Sequence, residues 1–230
     1  MTDRQRTQIT SRKKPQQARS SDLVAAILEA AIQVLSKEGA TRFTTTRVAE
    51  RAGVSVGSIY QYFPNKAAIL FRLQSDEWRE TTDMLRATLA DASRPPLERL
   101  RRLVHAFVKS ECDEAAMRVA LADAAPLYRD APEARSVRAA SKGILQAFMR
   151  ETLPDAKPAT RTLAGHLIKA TLSAVGQEFS ETPRGAREIA TYSDAMADMF
   201  AAYLVGLGHV APAPAPAPAR GRTCPARAAA

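Results

Sequence analysis

Cysteine is nearly missing from this chain of 230 residues, where Cys112 and Cys224 stand alone. Two thiols at unrelated positions make neither a metal-ligand spacing nor a disulfide framework. Cys112, set within a helical pattern, reads as a small buried hydrophobe rather than a redox sensor. No apolar run approaches the roughly 20 residues of a membrane span, so no membrane partner is expected. The basic N-terminus has no apolar stretch behind it and does not read as a secretory signal; a reducing cytoplasm is the expected compartment. Runs of β-branched residues are rare while leucine and alanine abound, which favours an all-α fold. Enzymatic signatures are also missing: there is no phosphate-cradling glycine loop, no HExxH and no paired Cys/His nucleophile set. A small all-α enzyme is set aside on that chemistry, and no cofactor is expected.

What is present is positive charge, and its placement is uneven. The formal net charge is +9. Residues 1–20 carry Arg4, Arg6, Arg12, Lys13, Lys14 and Arg19 against Asp3, an excess of five. The last twenty residues carry Arg220, Arg222 and Arg227 with no acid, an excess of three, which leaves one for everything between. A field concentrated in two tails can reach a polyanion without opposing a compact fold. The C-terminal tail reads as a solvated end. The N-terminal one leans toward nucleic acid because of the motif between Thr44 and Ser55.

Residues 1–20 are polar, basic and aperiodic, as expected of a disordered arm. From Ser21, or capped by Asp22, the positions Val24, Ile27, Leu28, Ala31, Val34 and Leu35 recur at helical spacing until Gly39 closes the run. Two short amphipathic pieces come next, from Thr45 to Ala52 and from Val56 to Phe63. Pro64-Asn65 breaks the chain, and Lys66 opens a longer helical pattern through Leu70, Leu73, Glu77, Thr81, Met84, Leu85 and Leu89. After Pro95-Pro96, a helix-start signal, longer helices are expected. One carries Leu97, Leu100, Val104, Phe107 and Val108, one spans Ala115–Ala124, and one carries Val137, Ile144, Leu145 and Phe148. Leu163 to Val175 and Ile189 to Tyr203 supply two more. Beyond His209, Ala-Pro alternation forms a semi-rigid linker. The expected division is an arm at 1–20, a DNA-reading unit at 21–66, a helical unit at 67–208 and a disordered tail at 209–230.

The stretch from Thr44 to Ser55, TTTRVAERAGVS, has what a helix-turn-helix needs. Thr44 or Thr45 caps the first helix, and small Ala49 beside Val48 lets the second cross closely. Gly53 supplies a left-handed turn residue; Val54 plugs the core and Ser55 caps the second helix. That helix turns Val56, Gly57, Ser58, Tyr60 and Gln61 outward while Ile59 and Phe63 pack back. Arg47 to Leu70, RVAERAGVSVGSIYQYFPNKAAIL, resembles the N-terminal signature of the TetR family, with Gly53, Tyr60, Tyr62, Phe63 and Lys66 in register. The likeness covers roughly residues 21–70, and beyond them only the helical layout matches.

The resemblance implies an all-α protein. An N-terminal three-helix DNA-binding domain would carry a C-terminal helical domain for ligand binding and dimerisation. It implies that Thr44, Thr45, Tyr62 and Lys66 clamp phosphates, with backbone N–H groups of helix N-termini beside them; the alternative for Tyr60, Tyr62 and Phe63 is a core-packing aromatic box, preferred for Phe63 and not for Tyr62. Val56, Gly57, Ser58, Tyr60 and Gln61 would face the bases; Gln61 suits adenine, and Val56 a thymine methyl. Gly57 would permit close approach. Lys37, Arg42, Arg47, Arg51 and Lys66 nearly balance Asp22, Glu29, Glu38 and Glu50, so the body alone attracts DNA modestly. The basic arm would add affinity along phosphates or in a minor groove, or would have no DNA role.

The same likeness implies a small-molecule pocket within the later helices and a dimer seam on the last two. Polar groups on apolar faces, His105, Asp123, Tyr128 and His166, are the candidate ligand contacts. Satisfied histidines are the preferred reading over a metal site. Leu167, Leu172, Met196 and Phe200 are the candidate seam, with an intrachain core as the alternative. The implied partners are a palindromic double-stranded operator, an unknown small-molecule effector and a second copy of the chain. The expected role is a regulator, with repression as the default. The alternative is a ligand-independent DNA-binding or partner-binding protein using the same helix-turn-helix.

Overall fold

The computed structural model describes residues 9–10, 18–128 and 143–209. Its elements are α1 (Ala18–Arg42), α2 (Thr45–Ala52), α3 (Val56–Tyr62), α4 (Lys66–Leu89), α5 (Pro96–Asp113) and α6 (Ala115–Ala124). A 3₁₀ turn, Ala125–Leu127, closes α6. Then come α7 (143–152), α8 (Pro158–Ser180) and α9 (Ala186–Gly206). No strand occurs among the described residues, as the scarcity of β-branched runs requires.

Helix boundaries follow local chemistry. Thr44 accepts the Arg47 N–H, Ser55 the Ser58 N–H and Asn65 the Ala68 N–H, so α2, α3 and α4 each begin on a side-chain cap. Pro96 opens α5 at a position where the missing N–H costs nothing. Helix α1 starts at Ala18, ahead of the expected Ser21, and Gly39 at φ 73°, ψ 171° kinks it without ending it; the helical turn resumes to Arg42. Gly53 sits at φ 67°, ψ 30°, and its N–H bonds back to the carbonyls of Ala49 and Glu50.

Two cores form. The first gathers the buried faces of α1, α2 and α3, the start of α4 from Ala67 to Leu73, and Ala120, Leu121, Ala124 and Tyr128. The second joins Leu89 and the inner faces of α5, α7, α8 and α9. The packing therefore does not respect the expected division at residue 66, since α6 and the first half of α4 belong to the DNA-reading core. Ile9 is likewise buried against that core. Within the arm expected to be structureless, one apolar side chain has found cover. Residues 1–8 and 11–17, Val137, and the Ala-Pro tail from residue 210 lie outside the described residues.

Arg99 joins α4, α5 and α7. Only 2% exposed, its guanidinium donates to the Leu89 carbonyl at 2.5 Å, pairs with Glu151 and stands over the Phe148 ring at 5.5 Å. Its partners hold a charge that could not otherwise be buried. His209, after α9, ties back to α7 with 2.8 Å between Nδ1 and the Thr152 carbonyl oxygen.

A methyl group at position 53 would meet nothing within 4 Å, so Gly53→Ala costs only the left-handed backbone, about 1 kcal/mol. Denaturant unfolding should register that loss with an unchanged slope.

Candidate nucleic-acid interface and interior cavity

The turn at Gly53 sets α3 across α2, with Val48, Ala49 and Ile59 buried between them. Small Ala49 is what permits that approach. The outer surface of α3 carries Gly57, Tyr60 and Gln61 exposed, with Val56 and Ser58 half-buried. Val56 packs partly on the first core, so it offers less outward surface than expected. Within the chain, nothing demands a glycine at 57, because an added methyl would touch only the Ser55 hydroxyl at an ordinary 3.6 Å. The bare backbone is open toward solvent.

Hydroxyls organise the rim. Tyr60, 41% exposed, shares a hydrogen bond with Thr45 at 3.3 Å. The Ser55 oxygen takes the Ser58 N–H at 3.0 Å, and the two serine hydroxyls stand 2.8 Å apart. Thr44 and Lys66 are exposed at the starts of α2 and α4. An ammonium in a helix's first turn opposes the helix dipole, and a phosphate placed there would reverse that penalty. Tyr62 corrects the expectation of an outward phosphate clamp. At 7% exposure its ring packs in the first core, because an aromatic one turn after Ile59 falls on the helix's inner side. Phe63 is buried as expected.

Two of the local cations face away from this rim. Arg47 pairs with Glu38 of α1, and Arg51 donates to Gln33 of α1 at 2.5 Å. Both stabilise the DNA-reading unit.

Behind the interface, α4, α5, α6, α7 and α8 line a cavity of about 370 Å³, within the range that holds small molecules. Its apolar wall includes Trp78, Leu85, Leu103, Phe107, Ile168 and Leu172. Its polar wall centres on Arg118 of α6, which donates to Glu77 of α4 at 2.6 Å, to Glu111 of α5 at 2.9 Å, and to Glu114 and Ser110 at 2.9 and 2.8 Å. Glu77 also accepts from Gln74 at 2.8 Å and Thr81 at 3.1 Å. Burial pushes the carboxyl groups of Glu77 and Glu111 above their ordinary range, and Arg118 pulls in the opposite direction.

None of the four expected ligand contacts lines this cavity. His105 stands 3.0 Å from an Asp194 oxygen on the outer face between α5 and α9. His166 and Asp123 are exposed on the outer faces of their helices. Tyr128 is buried in the first core, donating to Gln74 and the Leu121 carbonyl, and burial drives its phenol pKa upward. Among the described residues, no three His, Cys, Asp or Glu converge as metal ligands. Cys112 is half-buried, and burial raises its thiol pKa, which disfavours the reactive thiolate.

The seam is corrected as well. Leu172, Met196 and Phe200 are buried in the second core, because α8 and α9 both pack on α5 and spend those stripes there. Leu167 alone of the four is exposed, and the apolar groups beside it in exposure are Leu163, Met199 and Val205. Glu77, Glu111 and Arg118 were missed as site residues. The available signal was Glu77, an acid within the apolar stripe of α4.

A family model for bacterial regulatory proteins of the tetR family matches residues 27–73, and one for the tetracyclin repressor-like C-terminal domain matches residues 95–207. Among curated proteins, the transcriptional regulator TtgR of Pseudomonas putida is 41% identical over 81 residues, 35% of this chain and 38% of that protein. The nucleoid occlusion factor SlmA of Vibrio campbellii is 40% identical over 81 residues, 34% of this chain and 40% of that protein. These matches thus span about two fifths of the relatives' length. The solved structure of the fatty acid degradation regulator FadR from Bacillus halodurans aligns with a TM-score of 0.62 at 21% identity, covering 86% of this chain and all of that one. FadR from Bacillus subtilis, solved in complex with stearoyl-CoA, aligns at 0.59 with 16% identity, covering 77% of this chain and 97% of its own. At these identities the structures share the fold.

Removing Arg118 would leave buried carboxylates uncompensated, so Arg118→Met should cost about 3–5 kcal/mol at neutral pH. The sign of the pH dependence comes from the raised folded-state values. Protonation favours the folded state, so the contribution of Glu77 and Glu111 is fully present below the unfolded carboxylate range and fades as pH rises through their folded values. The stability gap between the variant and the parent should therefore narrow as pH is lowered from neutral to a mildly acidic value. Unfolding curves at the two pH values measure it.

Proposed function

Because the chain belongs to the tetR family of bacterial regulatory proteins, we propose that it is a sequence-specific DNA-binding transcriptional repressor, homodimeric on a palindromic operator and released by a small-molecule effector. Its place of action is the cytoplasm, and among the described residues no helix is long and apolar enough to cross a membrane. The reading of DNA rests on the exposed face of α3, where Gln61 and Tyr60 reach bases past Gly57. Thr44, Thr45 and Lys66 hold phosphates at the helix starts.

The observation that carries the effector reading is the double role of α6. Ala115, Arg118, Val119 and Ala122 line the cavity, while Ala120, Leu121 and Ala124 of the same helix are packed in the DNA-reading core. A ligand that shifts α6 must repack the core that positions α3, and that is a physical path for release. The alternative, DNA binding without a ligand, draws on the nucleoid occlusion role printed for SlmA; the largely apolar cavity favours the effector.

Two recognition helices must lie about one helical turn, ~34–36 Å, apart, which asks for a two-fold dimer. We place the seam on Leu163, Leu167, Met199 and Val205, exposed apolar groups of α8 and α9.

Operator fragments selected from genomic DNA by the intact protein provide the test. Gln61→Ala should cost about 1–3 kcal/mol per half-site and relax preference at one base position. Lys66→Ala should weaken all duplexes alike and lower the salt slope by about one per contact. The opposite pattern would mean that α3 meets the groove in another orientation. Leu167→Arg should remain folded, sediment as a monomer and lose the palindrome; a dimeric variant would place the seam elsewhere. A compound screen for release of the selected duplex tests the effector reading, and failure of any compound to compete would favour ligand-independent binding.

A further inference from the structure

The cavity has two unlike ends. Glu77 of α4 and Glu111 of α5 meet on Arg118, while farther along the same two helices Arg99 takes the Leu89 carbonyl. So α4 and α5 run antiparallel, and Leu85 falls level with Leu103. Two close approaches fix the register of α8. A methyl added at Gly176 would meet Phe107 at 3.1 Å and Glu111 at 3.4 Å, and one added at Gly165 would meet Met149 at 3.2 Å and Leu145 at 3.5 Å. Gln177 and Ser180 therefore stand at the Glu111 end, and Ile168 at the Leu145 end. Between Glu111 and Leu103, about 12 Å of helix, the wall changes from ionic and hydrogen-bonding groups to aliphatic ones. The charges at the ionic end already compensate one another. The lining holds two cations, Arg118 and Lys169, and two acids, Glu77 and Glu111. Arg118 makes five bonds, to Glu77, Glu111, Glu114 and Ser110, as many as a guanidinium has N–H groups. Glu77 accepts from Thr81 and Gln74 as well.

We propose that the cavity takes an uncharged amphiphile, an aliphatic body with one hydroxyl or amide head, seated with its head toward Glu111 and Gln177 and its body toward Leu103 and Ile168. The proposal rests on the cavity being the effector site and adds the chemical class of the effector. An anionic head would stand beside two acids and meet a guanidinium whose N–H groups are all engaged. A cationic head would have to take a carboxylate from Arg118. Burial acts on the Glu77 and Glu111 carboxyl groups more strongly than Arg118 does, so this end is already poor in solvent and a further charge there is costly. A hydroxyl or amide both donates and accepts, and it joins a closed set of ion pairs without breaking one. The aliphatic end offers nothing to a second polar group, which limits the ligand to one head.

Trp78 is the chain's single tryptophan and lines the cavity, so its fluorescence reports occupancy directly. The intact protein is titrated at neutral pH with three probes of one body, octanol, octylammonium and octanoate. The alcohol should bind about tenfold tighter than either ion. The position of the head is tested with Gln177→Lys, a change at an exposed residue of the lining whose folding is checked by its unfolding transition. There the added cation should let octanoate gain severalfold on octanol. The order in the unmodified protein stands without the variant. The proposal is overturned by an ion that binds as tightly as the alcohol, by an octanoate affinity that Gln177→Lys leaves unchanged, or by no response to any probe. Release of the selected operator, which octanol should bring about, separates the two readings. Octanol that binds in the expected order and leaves the operator complex intact upholds the ligand class and defeats the effector reading. An ion that binds tightest and releases DNA does the reverse.

Discussion

Helix α6 has to satisfy two cores at once, and the placement of both the interface and the cavity depends on it. A helix of ten residues has little stability of its own, so its position is set by what packs on either side. Its inner positions, Ala120, Leu121 and Ala124, are small or branched apolar groups that let α1 come close. Its cavity face carries Arg118, which is fastened to α4 and α5 through Glu77 and Glu111. The helix is thus held by hydrophobic burial on one side and by charge on the other. Those two forces respond to different perturbations. The ionic side borders the cavity, while the apolar side lies in the DNA-reading core. A shift of α6 is therefore passed to the DNA-reading unit as a repacking, while that unit stays folded.

The arrangement also explains why the DNA-reading unit spends two of its arginines internally. Arg47 and Arg51 are tied to α1 and brace α2 against it. The unit carries few cations on its rim, so non-specific attraction from the body is small. On the proposed reading, affinity then depends on the fit of the α3 face and on the spacing of two half-sites. Such fits are sensitive to sub-ångström repacking, because packed cores change between discrete arrangements rather than deforming smoothly.

The helix-turn-helix was legible because its determinants are local. Caps at Thr44 and Ser55, the left-handed Gly53 and the small Ala49 all act within a few residues of where they stand, and each does so as expected. The burial of Tyr62 was not legible because it depends on which side of a two-turn helix faces the core, and Tyr60 is exposed where Tyr62 is buried. The cavity was not legible. Its lining comes from helices distant in sequence, and histidine drew attention where the buried charges were glutamates and an arginine. The seam failed for a related reason. Helices α8 and α9 each carry apolar groups on more than one face, and periodicity cannot say which face α5 has taken. Ile9 shows the same limit on a small scale: composition marks the arm as polar, yet one apolar side chain there is covered by α1 and its neighbours.

The energetic scale of such a device is modest. Coupling between two sites is typically about 1–3 kcal/mol, comparable to one base contact and to one hydrogen bond made by a charged group. Loss of a single Arg118–Glu111 contact is therefore of the right size to alter operator occupancy without threatening the fold, provided Glu77 and Glu114 keep the guanidinium compensated. The surplus of carboxylates has a clear consequence here. With one acid per cation, loss of that contact would strand Arg118 in a low-dielectric interior. With three acids around it, Arg118 keeps a partner when any one of those contacts is lost.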